Sequence, residues 1–171
     1  MTWWQEPLPL PGLPDIVVRT VPTHPAVAVA RFAAKIVPTA SCHWYTAAIG
    51  DDGYGRYTYL DETGRQRTVS AHRFAWEATR PPGELINETH VLMHECNNTL
   101  CVYVGPGHVV LGTQLQNVRY ADRLGRRRGN RPVAAHPAAI TARAHRAQLR
   151  SGTIPSFRDE SLTGHPALFA L

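Results

Sequence analysis

The sequence has almost no lysine, few cysteines and no long apolar run, and each shortage excludes a class of protein. Lys35 is the only lysine among 18 basic residues, so the positive charge is almost entirely arginine. The three cysteines are an odd number without an export signal, which argues against a disulfide framework and leaves metal ligation or inert thiols. The most apolar stretch, residues 25–37, contains Arg31 and Lys35 and is shorter than the roughly 20 residues that span a bilayer. We therefore expect a soluble, cytoplasmic protein with no membrane partner.

Arginine is concentrated in the second half of the chain, and the net charge of the 171 residues is +5. Between Thr113 and Arg150, nine basic residues accompany a single acid, Asp122. Planar guanidinium groups suit phosphate, so this one-sided stretch predicts a polyanion such as nucleic acid. The alternative is a solvated basic surface, rich in arginine because of genome composition, and charge does not decide between the two.

Apolar periodicity, turn residues and helix caps predict a mixture of helices and strands after a proline-rich start at residues 1–22. The predicted elements are a helix at 26–37, a hairpin within 53–70, a helix at 71–80 capped by Ser70, strands at 89–95 and 108–112, a helix at 114–125 and a short exposed helix at 141–152. The hairpin turn falls at residues 61–64, and residues 126–132 form a basic linker. The predicted fold class is therefore α+β.

The predicted helix at 114–125 has clear start and stop signals. Thr113 and Gln116 have the spacing of a capping box, and Gly125 suits the position that ends a helix. One apolar stripe follows from Leu115, Val118, Ala121 and Leu124. Asn117 then lies in the first turn, and we expect it next to the strand end that carries His94.

Cysteine and histidine cluster between the two predicted strands of 89–112. Cys96, Cys101 and His108 offer three ligands of the kind that zinc prefers, and Cys42 is the remaining cysteine that could complete a tetrahedral set. The paired Cys-x2-Cys spacing of zinc knuckles is absent from the sequence. Three buried free cysteines are the alternative explanation.

His94 and Asn117 are the candidates for chemistry. A neutral imidazole can act as a general base toward water near neutral pH, and an amide oxygen is a suitable hard ligand for Mg²⁺. For His94 the alternatives are a spare zinc ligand and a hydrogen-bonded core histidine.

These residues together resemble the ββα-metal (HNH, or His-Me finger) endonucleases, in particular the phage-type HNH group and the His–Cys box homing endonucleases. The resemblance covers about residues 42–128, roughly half the chain, and is carried by His94, Cys96, Asn98, Cys101, His108, Gly112, Thr113 and Asn117. The segments GYGR at 53–56 and AHR at 71–73, and Cys42 upstream, also recur in that group. The resemblance implies a zinc-stapled ββα-metal core at 42–131 with an upstream antiparallel hairpin and flanking helices. Residues 1–41 would form an N-terminal extension, and 132–171 a basic helix and tail.

The resemblance also implies a mechanism. His94 would take a proton from the attacking water, and Asn117 would hold a single Mg²⁺ at the scissile phosphate, giving 5′-phosphate and 3′-hydroxyl ends. Structural Zn²⁺ would be bound by Cys42, Cys96, Cys101 and His108. An arginine contacts the scissile phosphate in the relatives. Arg56 is our candidate for it, and Arg67 and Arg73 are the alternatives.

Three departures from the family pattern are visible. Met93 stands where many HNH nucleases have an acid that serves as a second metal ligand, which leaves Asn117 as the main protein ligand. The loop from Cys101 to His108 is two residues longer than the common Cys-Val-Asn-Pro-x-His and lacks its asparagine. No cysteine remains for the second zinc site of the homing enzymes.

Duplex DNA is the expected partner. The hairpin could enter the major groove as a β-ribbon, and an ordinary half-buried hairpin is the alternative. Its candidate DNA contacts are Arg56, Thr58, Arg65, Gln66 and Arg67. Arg73 is a further candidate, and phosphates would be clamped by Arg119, Arg123, Arg126, Arg127 and Arg128. The helix with Arg143, Arg146 and Arg150 would extend that track or be solvated.

The sequence leaves three functions open. The favoured one is a Mg²⁺-dependent DNA endonuclease, because both chemical positions are filled by competent residues. The main alternative is a non-catalytic, zinc-stapled DNA-binding module, which would need neither His94 nor Asn117. An RNA-directed nuclease or toxin is a weaker option. A monomer would nick one strand, whereas a double-strand cut requires two active sites, most simply from a homodimer.

Overall fold

Four helices and nine short strands form the part of the chain that this computed structural model describes, residues 18–123 and 137–155. The helices are α1 (Ala26–Ala33), α2 (Ala71–Ala78), α3 (Gln114–Arg123) and α4 (Pro137–Arg150). The strands are β1 (Val18–Thr20), β2 (Ile36–Pro38), β3 (His43–Tyr45), β4 (Ala48–Ile49), β5 (Gly55–Leu60), β6 (Gln66–Ser70), β7 (Leu85–Asn87), β8 (His90–His94) and β9 (Val109–Thr113). The predicted α+β class is confirmed.

All the strand pairs are antiparallel and the sheets are small. β4, β5 and β6 form a three-stranded sheet, and the pairs β1–β7, β2–β3 and β8–β9 are two-stranded. β1 gives regular structure to residues 18–20, near the end of the proline-rich start of the chain. The predicted Gly125, Leu124 and linker fall outside the described residues.

The predicted hairpin at 53–70 is confirmed as β5 and β6. Asp61 closes its turn, because its carboxylate Oδ1 accepts hydrogen bonds from the backbone N–H groups of Thr63 and Arg65, both at 3.0 Å. Gly64 has a φ of 79°, in the left-handed region that glycine adopts without strain. Tyr57 and Tyr59 alternate inward along β5 and are buried. The side chains that alternate with these tyrosines therefore point away from the core and form the outer face of the hairpin.

Phe74 on α2 is at the centre of an aromatic core. Its ring lies 4.7 Å from the rings of both Phe32 and Tyr57, measured between centroids. The Tyr57 hydroxyl donates to the Ala28 carbonyl at 2.7 Å, which joins α1 to β5. α2 begins after Ser70, as predicted, although the Ser70 side chain makes no capping hydrogen bond. The core therefore fixes the start of α2 next to β5.

The predicted helix at 26–37 is shorter than expected. α1 ends at Ala33, and residues 36–38 form β2, in which Ile36 pairs with Tyr45 and Val37 with Trp44. β-branched residues fit strands, and the residue before Pro38 is disfavoured in a helix, so pairing with β3 overrides the helical pattern. β2 thereby helps hold the strand that follows Cys42.

The prediction of an exposed C-terminal helix is wrong. α4 begins at Pro137 and buries Ala139, Ala142 and Leu149. Its arginines attach it to the protein: Arg146 donates to the Ala47 carbonyl at 2.9 Å, Arg150 donates to the Thr46 carbonyl at 3.0 Å, and Arg143 lies 3.2 Å from the Asp51 carboxylate. These three side chains therefore help to hold α4 in place, although Arg143 and Arg150 remain exposed.

A buried acid on α2 predicts a dependence of stability on pH. Glu77 lies 3.4 Å from His24, and burial raises the pKa of Glu77 to about 7 and lowers that of His24. Since the folded state holds the Glu77 proton more tightly than the unfolded chain, this stabilisation is complete below about pH 4.5 and is lost as the pH rises through about 7. We expect Glu77→Gln to be more stable than the wild type at pH 8 by up to about 3 kcal/mol, with no gain near pH 4.5.

Urea unfolding at the two pH values measures this difference. Glu62→Gln, at an exposed position, is the matched control and should show no gain that depends on pH. An equal effect of Glu77→Gln at both pH values would contradict the assignment.

None of the helices within residues 18–123 and 137–155 is both long and apolar enough to cross a membrane.

Candidate metal centre and histidine cluster

Four predicted ligands meet at one place. The thiols of Cys42, Cys96 and Cys101 and the His108 imidazole each bring one ligand atom within 4.8 Å of the others. The His108 Nδ1 atom lies 3.8 Å from the Cys42 Sγ and 3.6 Å from the Cys101 Sγ. Three thiols and one imidazole are a donor set that suits a tetrahedral metal such as zinc, so the residues fit a structural metal site. The predicted grouping is confirmed.

Backbone pairing carries Cys42 to the loop between β8 and β9. Trp44 forms a bridge with Cys101, and the Tyr45 N–H donates to the Leu100 carbonyl at 2.8 Å. Cys42 and Cys101 are 3% and 0% exposed, and they share a core cluster with Trp44. Ala142 and Leu149 of α4 complete this cluster. The site thus brings together Cys42 and the loop between β8 and β9, which are far apart in sequence, and a bound metal would link them.

The loop between Cys101 and His108 is held at both ends despite its two extra residues. The Glu95 N–H donates to the His108 carbonyl at 2.8 Å, and the Glu95 carboxylate accepts from the Gly107 N–H at 2.6 Å. Gly107 has a φ of 80°, which favours glycine. These bonds place His108 at the ligand cluster.

The thiols affect one another electrostatically. Hydrogen bonds from Cys101 and then Cys96 hold the pKa of Cys42 well below its usual range. Contact with Cys42 and then Cys96, with burial, raises the pKa of Cys101. The cluster by itself therefore favours one thiolate and opposes a second, and a bound dication would remove that opposition.

His94, the last residue of β8, is half-buried beside the cluster. Its Nε2 atom lies 3.0 Å from the carbonyl oxygen of Cys101. A carbonyl can only accept, so Nε2 carries the hydrogen, and in the neutral ring Nδ1 is the unprotonated nitrogen. His94 lies outside the group of four clustered ligand residues. Its tautomer suits a base that acts through Nδ1.

Two residues that we did not predict as site residues surround His94. The His72 ring meets it edge-on, with centroids 4.6 Å apart and an interplanar angle of 75°. The Tyr54 ring lies 5.6 Å from His94 and 5.4 Å from His72. We call His94, His72 and Tyr54 the ring cluster. Tyr54 lies in the motif GYGR and His72 in the motif AHR, and these two motifs were the signal in the sequence that could have identified them as site residues.

Arg56 on β5 lies near the ring cluster. Its positive charge, after burial and the charge of His94, contributes to lowering the pKa of His72 to about 3. The Arg56 guanidinium binds the Asp52 carboxylate at 2.5 Å and approaches the Ser70 hydroxyl at 3.5 Å. Arg56 thus places a one-third exposed cation within electrostatic reach of His72.

The two alternative arginines have other partners. The Arg67 Nε lies 2.8 Å from the Asp61 carboxylate, and the Thr63 hydroxyl and then Arg67 hold the Asp61 pKa well below its usual range. Arg73 lies 3.8 Å from Glu77, one turn along α2. Each of the three arginines thus has an acidic partner, and Arg56 is the one with an electrostatic effect on His72.

The hairpin separates the predicted DNA contacts by face. Opposite residues in an antiparallel pair share a face, so Arg56, Thr58 and Gln66 belong to the outer one. The Thr58 and Thr68 hydroxyls are hydrogen-bonded across it at 2.8 Å. Arg67 pairs with Tyr59 and so belongs to the opposite face, and Arg65 precedes β6. The described outer face is therefore polar and partly basic.

The expected position of Asn117 beside His94 needs correction. His94 pairs with Val109, whereas Thr113, the residue before α3, pairs with His90 at the other end of β8. In an antiparallel hairpin, the residue that follows the second strand lies beside the start of the first. The Thr113–Gln116 capping box is confirmed, with reciprocal bonds of 2.7 and 3.2 Å.

α3 then returns along the hairpin on the Met93 side. The Tyr120 hydroxyl on α3 donates to the Glu95 carbonyl, near the loop end. His94 follows Met93 along β8, so its side chain lies on the other face of the hairpin, where it packs against His72 and Tyr54. Asn117 is half-buried on α3, and its side chain makes no hydrogen bond to another residue of the described ranges.

A cleft of about 360 Å³ lies between α3 and the β8–β9 hairpin. Met93, Glu95, Gln116, Arg119 and Arg123 are among its lining residues, so two predicted phosphate-binding arginines face the same space. The apolar stripe is turned away, with Leu115 58% and Val118 39% exposed. The predicted contacts Arg126, Arg127 and Arg128 lie outside the described residues.

Comparisons of the chain with protein-family models, with curated proteins and with solved structures find no significant match.

Proposed function

We propose that the protein is a metal-dependent endonuclease acting on duplex DNA, with β8, β9 and α3 as a ββα-metal core. The observation that carries this proposal is the His94 hydrogen bond to the Cys101 carbonyl. It selects the tautomer in which Nδ1 can accept a proton from a water molecule, and it joins the candidate base to the candidate metal centre. The reaction would hydrolyse a phosphodiester to 5′-phosphate and 3′-hydroxyl ends.

Arg56 would bind the scissile phosphate. Its guanidinium already contacts a carboxylate oxygen of Asp52, and its charge acts on His72 of the ring cluster, which supports this role. A phosphate would share or replace the Asp52 contact. Planar guanidinium groups bind phosphate oxygens in pairs, so Arg56 can position the phosphorus for attack.

Zinc would be held by Cys42, Cys96, Cys101 and His108 and would keep the Cys101 carbonyl in place for His94. The oxygen of the Asn117 side chain is the hard donor available to Mg²⁺, which otherwise keeps waters and substrate phosphate oxygens. When bound, Mg²⁺ supplies charge stabilisation at the scissile phosphate and the leaving 3′ oxygen.

DNA is favoured as the substrate by the outer face of the hairpin and by the cleft arginines. Arg56, Thr58 and Gln66 share that outer face and could reach base edges, while Arg119 and Arg123 could contact phosphates. A non-catalytic DNA-binding module is the second candidate. It is favoured by α3 lying on the Met93 side of the hairpin, away from the ring cluster.

We expect Asn117→Ala to lose nicking of supercoiled plasmid by about 100-fold or more in Mg²⁺, because the amide oxygen is the proposed protein ligand. Gln114→Ala removes an exposed amide from the same helix and should leave nicking unchanged. The measurement is the rate of conversion to open-circle or linear DNA. Wild-type protein that shifts plasmid in a gel without cutting it in any divalent metal would support the binding module instead.

A further inference from the structure

His72 is a half-buried histidine with no assigned role at the candidate site. It occupies the second position of α2, and its ring packs edge-on against His94 at 4.6 Å and beside Tyr54 at 5.4 Å. The aromatic core under Phe74 fixes α2, so His72 approaches His94 from a rigid element. An imidazole held this way limits how the neighbouring ring can rotate.

The chemistry of His72 is unusual for a residue that only fills space. Its Nδ1 atom is buried and has no hydrogen-bond partner within the described part of the chain. Leaving a buried polar atom unpaired destabilises a fold, and an apolar ring would avoid that loss. A histidine kept here at a cost in stability is therefore better explained by what it does to its neighbour.

His72 is not itself suited to proton transfer. Burial, and then electrostatic interactions with His94 and Arg56, lower its pKa to about 3, so the ring is neutral at ordinary pH and holds a proton too weakly to act as a base or relay. What remains is contact: a neutral ring against the ring of His94.

We propose that His72 is a positioning residue that holds the His94 imidazole in the orientation in which Nε2 donates to the Cys101 carbonyl. The contribution of His72 to catalysis rests on the proposed function, whereas the orientation of His94 can be measured without any activity. The ring of His72, rather than its nitrogen atoms, makes the contact that matters.

The first test is the tautomer of His94, read by NMR from long-range proton–nitrogen correlations in the full chain labelled at histidine. We expect one Nε2–H form in the wild type. His72→Ala and His72→Gln, which remove the ring, should give a mixture of tautomers or exchange broadening. His72→Phe keeps a ring and should retain the single form, with a raised Tm because the unpaired nitrogen is gone.

The second test is plasmid nicking by the same variants. We expect His72→Ala and His72→Gln to lose about 10- to 100-fold in kcat with little change in KM, and His72→Phe to stay close to the wild type. His24→Gln is the matched control, since His24 is also buried without a hydrogen bond but packs against Phe74 and Tyr59.

The two tests separate the two ideas. Failure of the wild type to cut DNA would defeat the proposed function and leave the NMR result to decide the role of His72. A single, unchanged His94 tautomer in both ringless variants would overturn the positioning role, as would His72→Phe behaving like His72→Ala. Folding of each variant is checked by circular dichroism, and His72→Gln serves if His72→Ala does not fold.

Discussion

Replacing His94 with alanine is expected to lower the rate of plasmid nicking by about 100- to 10,000-fold, the range for loss of a general base. The hydrogen bond from Nε2 to the Cys101 carbonyl at 3.0 Å leaves Nδ1 as the nitrogen that can accept a proton. Alanine removes that acceptor and the hydrogen bond to the Cys101 carbonyl, but it leaves the side chains of the four candidate metal ligands in place. DNA affinity in a gel shift should therefore change little while kcat falls.

His90→Ala is the matched control for this variant, since His90 is a half-buried histidine at the other end of the same strand. It should cut at the wild-type rate. EDTA should also stop cutting, but it can strip a structural zinc, so Mg²⁺ is added back to the chelated protein to separate the two losses. Unchanged nicking by His94→Ala would remove His94 from the mechanism and with it the main support for the enzyme.

Replacing Cys101 with serine is expected to unfold the protein or leave it without fixed tertiary structure. Cys101 is fully buried, supplies one of four ligand atoms within 4.8 Å, and forms a bridge with Trp44. Binding of a structural zinc contributes about 10–16 kcal/mol in small zinc domains, which is comparable with the whole stability of an ordinary domain, about 5–15 kcal/mol. Without a cation the cluster favours only one thiolate, so the remaining thiols stay protonated and the metal's contribution to stability is lost.

Metal analysis of the purified protein and thermal unfolding with and without a zinc chelator check this expectation. The wild type should contain one zinc per chain and lose its cooperative transition on chelation. His43→Gln is the control, because His43 adjoins Cys42 and packs against Tyr103 but is outside the ligand cluster. Purified protein without metal, and a Tm that chelation does not move, would favour three inert buried thiols.

Local signals predicted the helices and strands closest to the candidate site. The alternation of Tyr57 and Tyr59 along β5 and the turn at residues 61–64 gave the hairpin, and the Thr113–Gln116 spacing gave the start of α3. These patterns act over a few residues, so short-range sequence is enough to specify them. The same reasoning failed for α1 and α4, whose limits and burial depend on β3 and on the cluster around Trp44.

The four candidate ligand residues could be chosen from the sequence because the chain has only three cysteines and His108 follows two of them closely. Their convergence depends on the pairing of residues 43–45 with 100–102, which no local pattern reveals. The position of Asn117 failed for a related reason. Sequence order suggested that it adjoins His94, whereas the register of β8 and β9 sets which strand end faces the start of α3.

The sequence by itself determined the α+β class, the hairpin, the capping box and the identity of the four clustered ligand residues, because these follow from side-chain chemistry and spacing. Only the tertiary structure decided that His94 donates to the Cys101 carbonyl, that His72 and Tyr54 pack against its ring, and that Arg56 acts electrostatically on His72. Those contacts join β8 to β5 and α2, and the last two elements share the aromatic core. Packing between distant segments has no signature in local sequence, which is why the surroundings of the base had to be seen.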